Sequence, residues 1–468
     1  MNTKTSSDAD ADRSFEGVQP LSLVTRFLNM NRLALYALSY GGSAALQKGL
    51  GFLLFMGLAQ SLSVQSYATF GLLYALQAGL ATLAIAGVIE AVVGLLKDHK
   101  TETSRATLFG SANTVFSVLA AVCVAIVAAA SGLLMRSAGA SGLDLVFVVV
   151  AGVLTAFFTM QSQLVRLEEN HRASLALNFF PPLGGLIGGW IGFLQGHAVS
   201  GFFAGMAAGL VLLLLVFKFL RIGCYNFVRH PRGTLPILAR ITPFILIAVL
   251  GWLSGYGNTY LVKSFFTASD VARFTFIYTL SSIMQLVATA LNQVWSPRVF
   301  KLVHELPIEE VERRNRRFFT LQGVVLGAVG AAVLMISPVA VRWAGDSLVA
   351  YRDLTDELFF LSAAYALSIP WYHVQNFYYA HSKGKALMNI SLVTSAVGLM
   401  LLLLSMWAFG TLGIYIGFTA LLTTRMLGAL YWARREWAVH IAWQGPAIAM
   451  TLLFVGAWLA RTVFHSGS

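Results

Sequence analysis

The chain has 468 residues, of which 57% are hydrophobic and only 11% charged, and its mean hydropathy is +0.73. No soluble domain of this length dissolves such a surface, so lipid replaces water as the main solvent. The net charge of +12, from 32 Lys and Arg against 20 Asp and Glu, comes without basic–aromatic runs. That excludes a nucleic-acid partner and points to basic loops on one side of a membrane.

Residues 1–20 are polar and mildly acidic. They lack the basic start and short apolar core of a signal peptide, and read as a disordered cytoplasmic tail. Residues 21–37, LSLVTRFLNMNRLALYA, set Arg26 and Arg32 between apolar residues and form a candidate interfacial helix. Apolar stretches long enough to cross a bilayer then follow at 39–61, 66–96, 107–134, 143–164, 174–195, 198–219, 237–262, 271–297, 318–341, 357–380, 386–408, 411–433 and 441–461. The predicted fold is all-α: a polytopic membrane helix bundle. An N-terminal six-helix lobe covers 38–222, a cytoplasmic linker 223–236, and a C-terminal six-helix lobe 237–436. Residues 437–468 hold one extra C-terminal helix and a tail.

With the N-terminus in the cytoplasm, the inner loops collect most of the basic residues, among them Lys97, Lys100, Arg221, Arg232, Arg298, Arg313 and Arg434. The outer side keeps only Arg136, Lys263, Arg273, Arg342, Arg352 and Arg461. This is the positive-inside pattern of a bacterial cytoplasmic membrane protein. The segment 301–319, KLVHELPIEEVERRNRRFF, reads as a short cytoplasmic amphipathic helix that anchors topology at the inner leaflet. Cys123 and Cys224 have no metal spacing and suggest neither a disulfide nor a zinc site.

The halves echo each other. At an offset of 204, Ala68, Phe70, Tyr74 and Leu76 meet Ala272, Phe274, Tyr278 and Leu280. At an offset of 212, Gly201 and Gly205 meet Gly413 and Gly417. Six spans per half is an even number, so both halves enter the membrane the same way round. Parallel repeats of this kind are related by a pseudo-twofold axis along the membrane normal, with a site between them.

Three segments carry a family resemblance. LSVQSYATFGLLYAL (62–76) forms the turn into the second span. ALNQVWSPRVFKL (290–302) places Trp295 and Pro297 at the exit of the eighth. The run 378–424 contains a turn from Gly410 to Gly413 between the eleventh and twelfth spans. In order and spacing the chain resembles, over roughly 38–436, the oligosaccharide flippase family of the multidrug/oligosaccharidyl-lipid/polysaccharide exporter superfamily. That resemblance implies two six-helix lobes in a V around a central cavity, alternating access, and a lipid-linked oligosaccharide as substrate for surface polysaccharide assembly. Membrane lipids and polysaccharide assembly enzymes are the implied partners. One chain supplies both lobes, which suits a monomer. The chain departs from the family's commonest layout in its last span and in Glu90, where relatives often carry a basic or neutral residue.

A flippase makes and breaks no bonds, so the expected site is a polar, cationic hollow that shelters a sugar-pyrophosphate headgroup. Charges inside spans are rare and normally face such a hollow. Lys48 falls near the middle of the first span and is the first candidate cation. Arg425, in LLTTRMLGAL, suits bidentate phosphate binding; snorkelling to the inner interface is its other reading. Glu90, in AIAGVIEAVVGLL, is the coupling-ion candidate, or a carboxylate reaching the same interface. Gln285 and Asn292 in the eighth span and Gln375 and Asn376 in the tenth can bind sugar hydroxyls, with Trp371, Tyr372 and Tyr378 placed to stack on pyranose faces. Interhelical hydrogen bonding is the plainer reading of each amide. His373 reads as a satisfied core residue.

No phosphate-cradling Gly-x-x-x-x-Gly-Lys, His-Glu-x-x-His or Gly-x-Ser-x-Gly occurs, so no ATP motor, metal site, cofactor or catalytic residue is expected. Two other functions compete with the flippase: a cation-coupled exporter of small organic compounds, and a membrane-embedded polysaccharide polymerase or ligase. The last would need an extracytoplasmic catalytic surface, and the longest outer loop, 341–357, is too short for a domain.

Overall fold

The computed structural model describes residues 49–96, 99, 101–168, 170–228, 231–343, 346–381, 383–437 and 443–465. The N-terminal tail, the candidate interfacial helix and Lys48 lie outside these residues. Among the described residues there are helices and no strands. Hydrocarbon cannot hydrogen-bond a backbone, so a spanning segment must satisfy its own amides, and the helix does so within one segment.

The helices are α1 (Gly49–Ser61), α2 (Val64–Leu83), α3 (Val88–Leu96), α4 (Glu102–Ala129), α5 (Ser131–Ala138), α6 (Gly142–Leu167), α7 (His171–Gly192) and α8 (Ala198–Phe219) in the first half. The second half has α9 (Pro231–Leu253), α10 (Asn258–Phe265), α11 (Ala268–Glu305), α12 (Ile308–Trp343), α13 (Thr355–Leu367), α14 (Ile369–Ala380), α15 (Gly384–Trp437) and α16 (Gln444–His465). Among the described residues ten helical segments, one of them α2 and α3 taken together, are long and apolar enough to cross a membrane. The 54-residue α15 supplies two spans, because Gly410 (φ 59°, ψ −133°) folds it back on itself. The α13–α14 pair and the described part of the first span complete the predicted set.

The repeat is visible in the contacts. Ser63 and Thr267, 204 residues apart, are the N-caps of α2 and α11, each accepting a backbone N–H three residues on. Phe70 stacks on Phe203 of α8 with ring centres 5.8 Å apart, and the equivalent pair Phe274 and Tyr415 lies at 6.1 Å. Gly71 and Thr275 are themselves equivalents and face each other: a Cβ on Gly71 would sit 2.8 Å from Thr275 Cγ2. Equivalent residues of two copies can touch only beside the axis that relates the copies.

The lobes are sewn together at the end where α2 and α11 begin. Trp252 Nε1 donates to the Ala75 carbonyl at 2.9 Å, and the Tyr260 hydroxyl donates to the Leu72 carbonyl at 2.9 Å. Tyr67 packs edge-on against Phe276 and Tyr351, and Tyr74 against Tyr256. We call this the sealed end. The opposite, basic end carries Lys218, Arg221, Arg240, Arg298 and the four arginines at the start of α12, Arg313, Arg314, Arg316 and Arg317.

The extra helix α16 lies along α12. The close approaches run Gly323 to Gly445, Gly327 to Ala449, Gly330 to Leu453 and Ala331 to Gly456. The numbers rise together, so the two helices are parallel and α16 crosses in the same sense as the ninth span. Its far end pairs Arg461 with Asp356 at the start of α13, and Phe454 packs on Phe359 at 4.8 Å.

One expectation is corrected. The segment 301–319 is not a separate interfacial helix: α11 runs on to Glu305, the chain turns at Leu306–Pro307, and α12 continues unbroken from Ile308 into the membrane. Pro307 cannot donate back into α11, which ends that helix, while a proline just before a helix start is well tolerated. Arg313 and Arg314 both pair with Glu310 on this projecting part of α12.

Glycine-to-glycine contact between α7 and α8 gives a test. A Cβ on Gly188 would run into the Gly205 backbone, whereas one on Gly132 meets nothing within 4 Å. Gly188→Leu is expected to cost about 1–3 kcal/mol through overpacking and to lower the melting temperature in detergent. Gly132→Leu should leave that temperature unchanged.

Candidate functional site

Two spans of the second lobe break in mid-membrane, and the sequence dictates both breaks. Between α9 and α10 the run Ser254-Gly-Tyr-Gly257 leaves the regular helix. Between α13 and α14, Pro370 has no N–H to give the Ala366 carbonyl, and the chain bends at Ser368. Irregular backbone at membrane depth survives only where it is enclosed by protein or lines a wet hollow. Here the two breaks flank one cavity of about 220 Å³, lined by residues that include Ser254, Gly255, Tyr278, Gln285, Tyr365, Ser368, Trp371, Tyr372 and Arg425.

Arg425 is the one strong charge on this wall. Its guanidinium lies over the Trp371 indole, 4.6 Å from the ring centre. That contact holds the head inside the lobe, which removes the snorkelling reading. Arg425 Nε and Ser254 Oγ are buried with no hydrogen-bond partner among the described residues. Phe418 packs against both Tyr278 and Tyr365, with centres 5.9 Å apart in each case, and gives the cavity an aromatic wall.

Gln285 is exposed although it sits in the interior stretch of α11, as a side chain facing a hollow must be. Glu90, on the short α3, also carries exposed surface. Tyr379 of α14 joins the two lobes' charges. It accepts from Gln375 Nε2 at 2.7 Å and lies within electrostatic reach of Glu90 in the first lobe and Arg425 in the second. The structure therefore brings Arg425 and Gln285 to one cavity, with Gln375 and Glu90 related to it through Tyr379.

Other predicted residues are engaged elsewhere. Asn376 is buried and donates to Asn292 Oδ1 at 2.9 Å, tying α14 to α11. Tyr378 is buried against Trp437, 4.6 Å between centres, and Trp371 is covered on one face by Arg425. His373 is a core residue as expected: Nε2 meets Gln322 Oε1 at 2.9 Å, and Nδ1 meets Asn315 Oδ1 at 3.3 Å. Asn315 Oδ1 also accepts from Trp295 Nε1 at 2.6 Å, so one amide ties α11, α12 and α14 together. Tyr379, Ser254 and Tyr365 escaped the sequence reading. The signals were there: a glycine-spaced Gly251–Ser254–Gly255–Gly257 run, and a Ser-Ile-Pro inside an apolar stretch.

Two pseudo-symmetric lobes of helices, joined at one end and holding a cavity with an aromatic wall and a buried arginine, make a polytopic membrane helix bundle. A family model described as polysaccharide biosynthesis protein matches residues 36–303. The chain belongs to that family. No curated protein matches the chain significantly. Among solved structures it is similar to an inward-facing multidrug resistance MATE family transporter of the MOP superfamily. That match has a TM-score of 0.68 and 15% identity, over 84% of this chain and 94% of that one. An outward-facing MATE transporter of the same superfamily gives 0.62 and 15%, over 86% and 95%. The lipid II flippase MurJ in an inward closed conformation gives 0.65 and 11%, over 92% and 99%. At these identities the likeness is one of fold.

The shared amide gives a second test. Asn315→Leu leaves the Trp295 N–H without its acceptor and removes the polar contact to His373 Nδ1, and should destabilise the protein by about 1–3 kcal/mol. Thermal melts of the purified variant would read this as a lower midpoint.

Proposed function

We propose that this protein flips a polyprenyl-pyrophosphate-linked oligosaccharide across the cytoplasmic membrane for surface polysaccharide assembly. The N-terminus and the basic end face the cytoplasm in this reading. The observation that carries it is Arg425, a guanidinium inside the membrane thickness, braced on Trp371 and free at Nε, in a cavity walled by aromatic rings, hydroxyls and an amide. A phosphate supplies what the guanidinium lacks, since two parallel N–H donors match its oxygens. Rings and amides suit the sugar that follows. Membership of the polysaccharide biosynthesis family and a fold shared with a lipid II flippase support the same reading.

The cycle follows from the geometry. The headgroup enters from the basic end while its polyprenyl tail stays in the bilayer. Arg425, Gln285 and Gln375 hold it. The lobes then rock about the Gly71–Thr275 contact, so that the sealed end opens and the basic end shuts. Nothing in these steps requires a covalent intermediate. Lys48 belongs with the site as a further candidate cation, and the linker of 223–236 is proposed as the join between lobes.

A second reading, a cation-coupled exporter of small organic compounds, is favoured by Glu90, an exposed carboxylate within electrostatic reach of Tyr379 that could exchange a proton during the cycle. Proteoliposomes separate the two. Wild-type protein is expected to move a fluorescent polyprenyl-pyrophosphate sugar between leaflets, and Arg425→Ala to slow it about tenfold or more, the size of one lost charge-assisted hydrogen bond of roughly 1.5–3 kcal/mol. Dye extrusion with no lipid-linked sugar movement would decide for the exporter.

A further inference from the structure

Away from the cleft, the basic end of the first lobe holds a second cavity, of about 360 Å³. Its walls come from the start of α4, the end of α6, the end of α8 and the chain beyond α8, and its charged lining is Lys218, Arg221 and Glu168. The volume falls in the range of small-molecule sites, roughly 300–1,000 Å³.

The floor is built, not loose. Two fully buried amides hold it: Gln161 Nε2 donates to Asn113 Oδ1 at 2.8 Å. Asn113 Nδ2 donates to the carbonyls of Cys224 and Asn226 at 2.5 and 2.7 Å, and Cys224 N donates to Gln161 Oε1 at 2.7 Å. Thr114 and Gly110 bind Val228 in the same way. Arg221 takes the left-handed conformation (φ 55°) just past the end of α8, where glycine would be easiest. A charged side chain is kept there in spite of the strain.

The lining carries both signs, and they do not neutralise each other. Among the described residues, neither Lys218 nor Arg221 forms an ion pair with Glu168. Burial and the Glu102 carboxylate push the Glu168 carboxyl above its ordinary range, with Arg105 opposing. Arg105 Nε is itself taken by the His99 carbonyl at 3.2 Å. Burial also drives the Cys224 thiol up to about 12 and the Tyr225 phenol up to about 12, so both stay neutral. Around the cavity, Phe219, Leu220 and Phe227 are exposed apolar side chains, which places its mouth at a lipid interface.

We propose that this cavity binds the headgroup of a membrane phospholipid bearing both a phosphate and a primary ammonium, of the phosphatidylethanolamine class. The phosphate lies on Lys218 and Arg221, the ammonium on Glu168, and the acyl chains run past Phe219 and Phe227 into the inner leaflet. A purely anionic headgroup meets Glu168 unfavourably, so the mixed lining selects a zwitterion. The site does not depend on what the central cleft carries.

Native mass spectrometry of the full-length protein in detergent, titrated with phosphatidylethanolamine, phosphatidylglycerol or free phosphoethanolamine, tests this. The ethanolamine lipid should be retained about tenfold better than the glycerol lipid, and free phosphoethanolamine should be held weakly. Glu168→Gln should abolish the preference while leaving the glycerol lipid bound at least as well. The pair Lys218→Gln and Arg221→Gln should weaken both lipids. All three side chains are exposed, so folding is not at stake. Equal retention of the two lipids by wild type, or an unchanged preference in Glu168→Gln, would overturn the proposal. Free phosphoethanolamine binding as tightly as the lipid would overturn its assignment to a membrane ligand.

Discussion

A guanidinium inside a hydrocarbon slab must be matched or it cannot stay, and Arg425 is matched in an unusual way. No carboxylate neutralises it among the described contacts. The Trp371 face holds one side, and the cavity beyond is open at the other. Such an arrangement is stable only if that cavity is polar and wet. The backbone at the two breaks closes on itself in turns, as Gly257 N does on the Trp252 carbonyl and Trp371 N on the Ser368 carbonyl, so α9 and α13 break there without stranding amides and it is the arginine that asks for water or a ligand. One requirement, a hydrated hollow in the second lobe, thus accounts for the cation and for the exposed Gln285 on the same wall.

A hollow carries cargo only if its two mouths open in turn. The contact of Gly71 with Thr275 lies beside the axis relating the lobes, and is made of the smallest side chain facing a β-branched one. The aromatic pairs around it, Tyr67 with Phe276 and Tyr74 with Tyr256, add area without locking charge into the seam. Across the inter-lobe seam Trp252 and Tyr260 donate to backbone carbonyls, Tyr256 and Tyr74 meet through their side chains, and no described ion pair crosses it. Such an interface can part without stranding an ion in lipid. Inside each lobe the packing is of another kind. Glycines of α7 meet glycines of α8, and α12 meets α16, at backbone contact, which favours movement of each lobe as a rigid piece.

Hydropathy gave the spans to within a few residues, because a thickness of lipid is a blunt and reliable ruler. The repeat was legible in the same way: Phe70 and Phe274 are both aromatic because each packs on an aromatic of its own lobe's last span. The site was half legible. A charge inside a span, such as Arg425 or Glu90, announces itself. An amide does not, since the letters of Gln285, which faces the cavity, and Asn376, which is bonded to Asn292, look alike. Only the helix face decides, and face is poorly specified where every side of a helix is apolar. The 301–319 segment failed for a related reason. Its amphipathic pattern fits a helix lying on a membrane and a helix projecting from one equally well, and only the direction of α12 separates them.

The lobes are copies in backbone but not in chemistry, and the difference bears on how a charged cargo could be moved. The second lobe has both interior breaks that frame the cavity, and the arginine. The first lobe brings a carboxylate, Glu90, on the short α3 that follows its own break at Gly87 (φ 74°). Tyr379 lies within reach of both charges. No carboxylate pairs with Arg425 among the described residues, and Glu90 is related to it only through Tyr379. A phosphate would give the arginine a bidentate partner, and its negative charge would repel the Glu90 carboxylate. Opposite signs carried on opposite lobes therefore make the preferred separation of the lobes depend on whether the cleft is filled. A symmetric pair of cations would not do this, since the empty lobes would repel each other at every separation.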